Sequence, residues 1–289
     1  GIHLGTPVSQ NSRGHLLGHV DHLAQERHHA VEGGRHGDAG DGLLLDLRRQ
    51  ARAQLFESRV ESGRLFDHPL KRTRTTLTYL AVAARGTDDE KRLFRDGVNK
   101  AHAQVRSTAA SPVKYNAFDH ELQLWVAACI YRGFEDVHRS LYGPIPEDAV
   151  DYFYQRGAAF GTTLQVPRSK WPKDRDAFEQ YWKEGLENVR IDPVVREHLL
   201  SIARMEFLPQ PIPFLFGRLN LFFTAGYLPQ RFRDEMLMAW TPRDQRRFER
   251  LMKALGAVNK RLPVALRELP YRVLLADMRR RIRKGQTLV

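Results

Sequence analysis

Residues 87–106 read TDDEKRLFRDGVNKAHAQVR and decide the fold class, because they carry a full set of helix signals. Thr87 can cap a helix, and the acidic run from Asp88 to Glu90 fills the first turn, where the helix dipole favours negative charge. Apolar residues then return every three or four positions, at Phe94, Val98, Ala101 and Val105. The segment predicts an amphipathic helix that runs to about Arg106.

The same helical period recurs along most of the chain, and strand signals are almost absent. Proline and glycine mark the loops, including a predicted loop over residues 161–172. Residues 207–228 are apolar but interrupted by prolines and an arginine, and they are interpreted as a buried or surface-docking segment. The sequence predicts an all-α protein with one helical domain. Its further helices are expected after Asn116 to about Gly143, from about Pro146, and over residues 174–187, 192–205, 242–260 and 270–283.

The first 55 residues differ from the rest of the chain. They contain no Phe, Tyr, Trp or Lys, and they hold seven of the twelve histidines. His15, His19 and His22 have a helical spacing that metal ligands can use, but their glycine-rich surroundings are more typical of a poorly packed leader. We therefore expect residues 1–55 to be an anomalous leader without a signal peptide, and residues 56–289 to form the helical domain.

Charge and cysteine content exclude several classes of protein. The formal charge is +12, but basic residues are spread among acidic ones, which favours a solvated surface over a nucleic-acid groove. Cys129 is the only cysteine, so a disulfide or a paired-cysteine metal site cannot form within the chain. No stretch of about 18 apolar residues suggests a transmembrane helix. We expect a cytoplasmic protein that does not bind nucleic acid. The last predicted helix has an apolar stripe opposite its arginines, which could lie on a membrane but is more often docked on the core.

Three positions could carry chemistry. His102 follows Phe94 and Val98 on the apolar face of its helix, where it is either a core histidine with a hydrogen-bond partner or an axial ligand of haem iron. Arg72 and Thr76 share a face of an earlier helix, where they either solvate its start or bind a propionate and orient an oxygen ligand. Trp125 either packs in the core or forms a wall against the haem.

Several ordered motifs carry a resemblance to a known family. They read DHPLKRTRTT at residues 67–76, VNKAHAQVR at 98–106 and YNAFDHELQLWV at 115–126, followed by YFY at 152–154, LQVP at 164–167, GYLP at 226–229 and LP at 262–263. In order and spacing this set resembles the catalytic domain of the latex-clearing rubber oxygenase and MpaB oxygenase family. The resemblance covers roughly residues 62–275.

The resemblance implies a fold and an activity. Characterised members are all-helical haem b proteins with a globin-like core, and they cleave carbon–carbon double bonds of isoprenoid chains with dioxygen. By this resemblance His102 is the proximal iron ligand, Arg72 and Thr76 line the distal side, and a glutamate base would fall near Glu57 or Glu61. The sequence has Thr75 where rubber-cleaving members have a lysine that can close onto the iron, so we do not expect a lysine-ligated resting state.

The sequence therefore predicts a haem b-dependent oxygenase that acts with dioxygen on an apolar, isoprenoid-like or lipid-like substrate. Aromatic helices around residues 152–160 and 215–223 would contribute a hydrophobic channel for that substrate. The alternative is a haem-free helical protein that binds a lipid in the same place or docks on a membrane.

Overall fold

A computed structural model describes Phe66, residues 68–107 and residues 116–289. The expectations for the leader, its histidines, Glu57 and Glu61 lie outside the described residues. Within the described residues there is no β-strand, and one isolated bridge joins Arg106 and Asn116. The all-α prediction is confirmed for this part of the chain, whereas a globin-like haem core stays a prediction.

The described helices follow one another with short connections. In chain order they are α1 (Pro69–Arg85), α2 (Asp88–His102), α3 (His120–Tyr142), α4 (Glu147–Gly157), α5 (Ala159–Thr162), α6 (Arg175–Glu187), α7 (Pro193–Ala203), α8 (Ile212–Tyr227), α9 (Gln230–Glu235), α10 (Pro242–Arg261), α11 (Val264–Arg267) and α12 (Leu269–Arg283), with a 3₁₀ turn at Arg168–Lys170.

Helix α2 begins as the sequence predicts and ends earlier. The Thr87 side chain accepts a hydrogen bond from the Glu90 backbone, and the Glu90 carboxylate accepts one from Thr87, so a complete capping box starts the helix. The helix stops at His102 rather than near Arg106. The chain turns there because Val105 accepts a hydrogen bond from the backbone of Ala117, which pairs this segment with the start of the next one.

Helix α3 is the longest described helix and lies at the centre of the packing. Asp119 caps its start by accepting hydrogen bonds from two backbone amides, and Gly143 ends it with a φ of 92°, a conformation that glycine adopts without strain. The helix packs against α5, α8 and α10. Its Tyr131 is 1% exposed and lies within a cluster of aromatic rings from α4, α6 and the intervening loop: Phe153, Tyr154, Trp171 and Phe178.

A second hydrophobic cluster joins α1, α2 and α12 and so fixes the helix that carries His102. Its buried members are Ala81, Val82, Phe94, Val98, Leu275 and Met278. At the start of α2 an ion pair between Arg279 and Glu90, 2.6 Å from Nε to Oε1, adds a polar tie to α12. Phe94 and Val98 are buried as their helical spacing predicts.

The remaining predictions are confirmed in most places. Helices α6, α7, α10 and α12 match the predicted segments to within two residues at each end. The loop predicted over residues 161–172 is partly wrong, because α5 extends to Thr162 and a 3₁₀ turn follows. Cys129 is a half-buried free thiol whose pKa is raised to about 12 by burial, as expected of an inert cysteine. None of the helices that the structure describes is long and apolar enough to cross a membrane.

Candidate functional site

His102 is the last residue of α2, and its imidazole is half-buried beside Phe118, with the two ring centroids 6.1 Å apart in an edge-to-face arrangement. Its Nδ1 atom is buried and has no hydrogen-bond partner within the described residues. Burial lowers the pKa of His102 from the ordinary value of 6.5, and the positive charge of Arg72 lowers it further. The site therefore holds a neutral imidazole with an unused buried nitrogen.

Helix α1 brings Arg72 towards His102. Arg72 is exposed when the whole residue is considered, but its guanidinium is partly desolvated, and this desolvation lowers its pKa. The charge of Arg72 acts on His102, so two of the four predicted site residues influence each other electrostatically. Among the described residues no carboxylate pairs with Arg72, so its charge is available to a ligand.

Thr75 and Thr76 of α1 differ in exposure. Thr76 is exposed, on the same face of α1 as Arg72. Thr75 is buried, and its hydroxyl donates a hydrogen bond of 2.9 Å to the carbonyl of Lys71 in the preceding turn. Thr75 is thus occupied within its own helix. A distal role for Thr76 stays a prediction.

A network of side-chain amides holds the segments around His102 together. Gln123 Nε2 donates to the carbonyl of Ala117 and to Gln165 Oε1, each at 2.7 Å, and Gln165 Nε2 donates to Asn99. Asn99 lies one turn before His102 on α2, so this network couples α2 to the start of α3 and to the loop after α5. Sequence reasoning did not assign these amides a role, although each lies within a motif that carries the family resemblance.

Trp125 lies in the packing between α3 and α6. Its ring stacks on Trp182 at a centroid distance of 5.2 Å and meets Tyr181 edge to face. A Cβ atom on Gly185 would lie 2.1 Å from the Trp125 ring, so the indole fills the space over that glycine. These contacts agree with the interpretation of Trp125 as a core residue, and a cofactor contact stays a prediction.

A buried nitrogen without a partner does not by itself distinguish His102. His138 also has a buried Nδ1 without a hydrogen-bond partner, and its ring lies 5.3 Å from that of Tyr142. His102 differs because it lies within the electrostatic influence of Arg72, which pairs with no carboxylate in the part of the chain that the structure describes, and because it belongs to one of the ordered motifs. Within the described residues no group of three or more His, Cys, Asp or Glu side chains could hold a metal ion. A single histidine suits a metal that arrives with most of its own ligands, as haem iron does.

Comparison with known proteins identifies the family. The chain is similar to the uncharacterized protein Mb2261 of Mycobacterium bovis and to the uncharacterized protein Rv2237 of Mycobacterium tuberculosis. In each case 49% of 235 aligned residues are identical, and the alignment covers 81% of this chain and 92% of the relative. No solved structure matches the chain significantly. The model of the family described as ER-bound oxygenase mpaB/B'/rubber oxygenase, catalytic domain, matches residues 36–257, a range that includes residues 36–55 of the predicted leader. The chain belongs to this oxygenase family.

Proposed function

We propose that this protein is a haem b-dependent oxygenase that uses dioxygen on an apolar substrate. The observation that carries the proposal is His102, an imidazole whose lowered pKa keeps it neutral and which lies within the electrostatic influence of Arg72; among the described residues its Nδ1 has no partner and no carboxylate pairs with Arg72. Family membership supports the oxygenase class. Haem as the cofactor and the nature of the substrate rest on the site residues and on the resemblance of their motifs.

The residues present fit a haem ligand. A neutral imidazole can offer one ring nitrogen to iron, and no described residue forms a hydrogen bond with Nδ1 of His102. The lowered pKa of His102 keeps the imidazole in the neutral form that metal binding requires. The amide network through Asn99 limits movement of the helix end that presents the ring.

Bound haem would supply the iron at which dioxygen is activated. Arg72 then has two uses that its position allows: pairing with a propionate, or donating hydrogen bonds to negative charge that develops on oxygen. Both interactions need a guanidinium that no carboxylate neutralises. Both are also strengthened by the desolvation that lowers the pKa of Arg72. Arg72 is accordingly the residue that positions an anionic or electron-rich oxygen group.

An apolar substrate would find an apolar surface on α8. Phe214, Leu215, Phe216 and Leu219 are all exposed at the start of this helix, and Phe214 is 80% exposed. The other predicted channel segment is less suited, because Phe160 stacks on Phe134 at 4.9 Å within the core. We therefore place initial contact with an isoprenoid-like or lipid-like substrate at the start of α8.

The test is a titration of the purified chain with haemin, followed in the Soret region of the absorption spectrum. We expect equimolar binding with a shifted Soret band in the wild type, and loss of that band in His102→Ala. His138→Ala removes the other histidine with an unpartnered buried nitrogen, so it should bind haemin like the wild type. A wild type that leaves the haemin spectrum unchanged, or equal losses in both variants, would contradict the proposal.

A second candidate is a haem-free helical protein that carries a lipid. The exposed apolar side chains at the start of α8 favour it, because they could contact a lipid without any cofactor. An oxygen electrode separates the candidates. The oxygenase should consume dioxygen when haemin and an unsaturated isoprenoid are both present, whereas a carrier should bind the isoprenoid without consuming oxygen.

A further inference from the structure

We propose that the corner between α10 and α12 docks this protein on membranes that contain anionic lipid. The corner comprises residues 258–273, which include the end of α10, all of α11 and the start of α12. These residues follow residue 257, where the match to the family model ends. The corner therefore lies outside the residues that the family model matches, although its LP motif at residues 262–263 belongs to the resemblance.

The corner presents a cluster of apolar side chains to solvent. Each residue from Lys260 to Arg267 is exposed, including the whole of α11. The corner extends about one helical turn, or roughly 6 Å, into α10 and into α12 on either side of α11. Single exposed aliphatic residues are common on protein surfaces, but six within 16 consecutive residues favour an interaction site. Its members are Val258, Leu262, Val264, Leu266, Leu269 and Val273, which are 38–59% exposed.

Basic side chains are interspersed with these apolar ones. Lys260, Arg261 and Arg267 are exposed, and among the described residues none of them forms an ion pair with a carboxylate. Glu268 is the only acidic residue between positions 258 and 273, and Arg85 and Arg272 pair with it at 2.8 Å and 2.9 Å. The corner therefore keeps a net positive charge around its apolar side chains.

This composition fits a lipid surface better than other partners. Aliphatic side chains enter the boundary between headgroups and acyl chains, while lysine and arginine extend their charged ends to anionic headgroups. Protein interfaces depend more on aromatic anchors, and single-stranded nucleic acid needs aromatic rings for base stacking. The corner has one aromatic residue, Tyr271, which is half-buried.

The experiment is co-sedimentation of the full chain with vesicles, without haemin or substrate, so that its outcome is independent of the proposed oxygenase activity. We expect binding to phosphatidylcholine vesicles that contain phosphatidylglycerol, and little binding to pure phosphatidylcholine. Arg267→Gln should weaken partitioning roughly fivefold, which corresponds to the loss of one basic contact. Leu266→Ser should weaken it by a similar factor or more, and each exposed substitution should leave the circular dichroism spectrum unchanged.

Two control variants locate the effect. Arg283→Gln removes the same charge at the far end of α12, and Leu93→Ser removes an exposed apolar side chain from α2. Both should bind vesicles like the wild type. Equal binding to both vesicle types, or equal losses in the controls and the corner variants, would overturn the proposal. A concentration-dependent dimer that the corner variants abolish without a change in vesicle binding would instead assign the corner to a second copy of the chain.

Discussion

Gly256→Ala should separate the two helices that make the most extensive contact in the described fold, α3 and α10. A Cβ atom at position 256 would lie 1.9 Å from the carbonyl oxygen of Leu141 and 2.8 Å from its carbon. Backbone atoms inside a helix cannot rotate away, so α10 must move outward by about 1.5 Å to restore an ordinary contact. Overpacking of this kind typically costs 1–3 kcal/mol, and we expect the upper end because the clash is with backbone.

The assay is thermal unfolding followed by circular dichroism, with Gly133→Ala as the matched control on α3. A Cβ atom on Gly133 meets no atom within 4 Å, so alanine there should be neutral or stabilise the helix by roughly 0.5–1 kcal/mol. A loss of about 3 kcal/mol in Gly256→Ala corresponds to a decrease in Tm of roughly 6–12 °C for a chain of this size. A Tm equal to that of Gly133→Ala would refute the close approach of the two helices at this point.

Three further outcomes follow from the polar groups. Glu135→Gln should lower the free energy of unfolding by roughly 3–5 kcal/mol in urea, because its fully buried carboxylate pairs with three arginines, whereas Arg92→Gln at an exposed ion pair should leave the midpoint unchanged. Haem should be released only when His102 becomes protonated. Binding should therefore persist as the pH falls below 6.5 and end at the lowered pKa of His102, whereas release at or above pH 6.5 would contradict this. Arg72→Gln should raise that pKa and shift acid release of haem to higher pH, and an unchanged midpoint would exclude its influence on the imidazole.

Helix starts and buried stripes could be predicted from the sequence because their signals are local. The hydroxyl of Thr87 and the carboxylate of Glu90 form a capping box within four residues, and the spacing of Phe94 and Val98 alone predicts which face is buried. The end of α2 could not be predicted in this way. It depends on a hydrogen bond between Val105 and Ala117, two segments whose pairing no local signal indicates.

The candidate site was predictable in part. Arg72 and His102 could be brought together only through the ordered motifs, since 30 positions separate them along the chain and helical spacing says nothing about contacts between helices. The amide network shows the limit of sequence reasoning. Gln123 and Gln165 read as ordinary polar residues, and their hydrogen bond exists because α3 and the loop after α5 approach each other in the folded chain.

Buried charge was the feature that sequence reasoning missed most clearly. Glu135 lies among charged residues of α3 and reads as a solvated surface residue, but it is fully buried and pairs with Arg175 of α6 at 2.8 Å. The residue is buried because α6 covers this face of α3, and the packing partner of a helix face is a tertiary property. A charged residue on the buried face of a helix indicates a buried ion pair, but this can be recognised from the sequence only when the buried face is already known.

Imidazole rescue of His102→Gly tests the central claim most directly. Free imidazole can enter the space that the missing side chain leaves and take its place as the axial ligand. We predict that His102→Gly binds haemin without the wild-type Soret band and that added imidazole restores the band, while His138→Gly keeps the band without imidazole. A wild-type Soret band in His102→Gly before imidazole is added would show that another residue holds the iron and would contradict the assignment of His102.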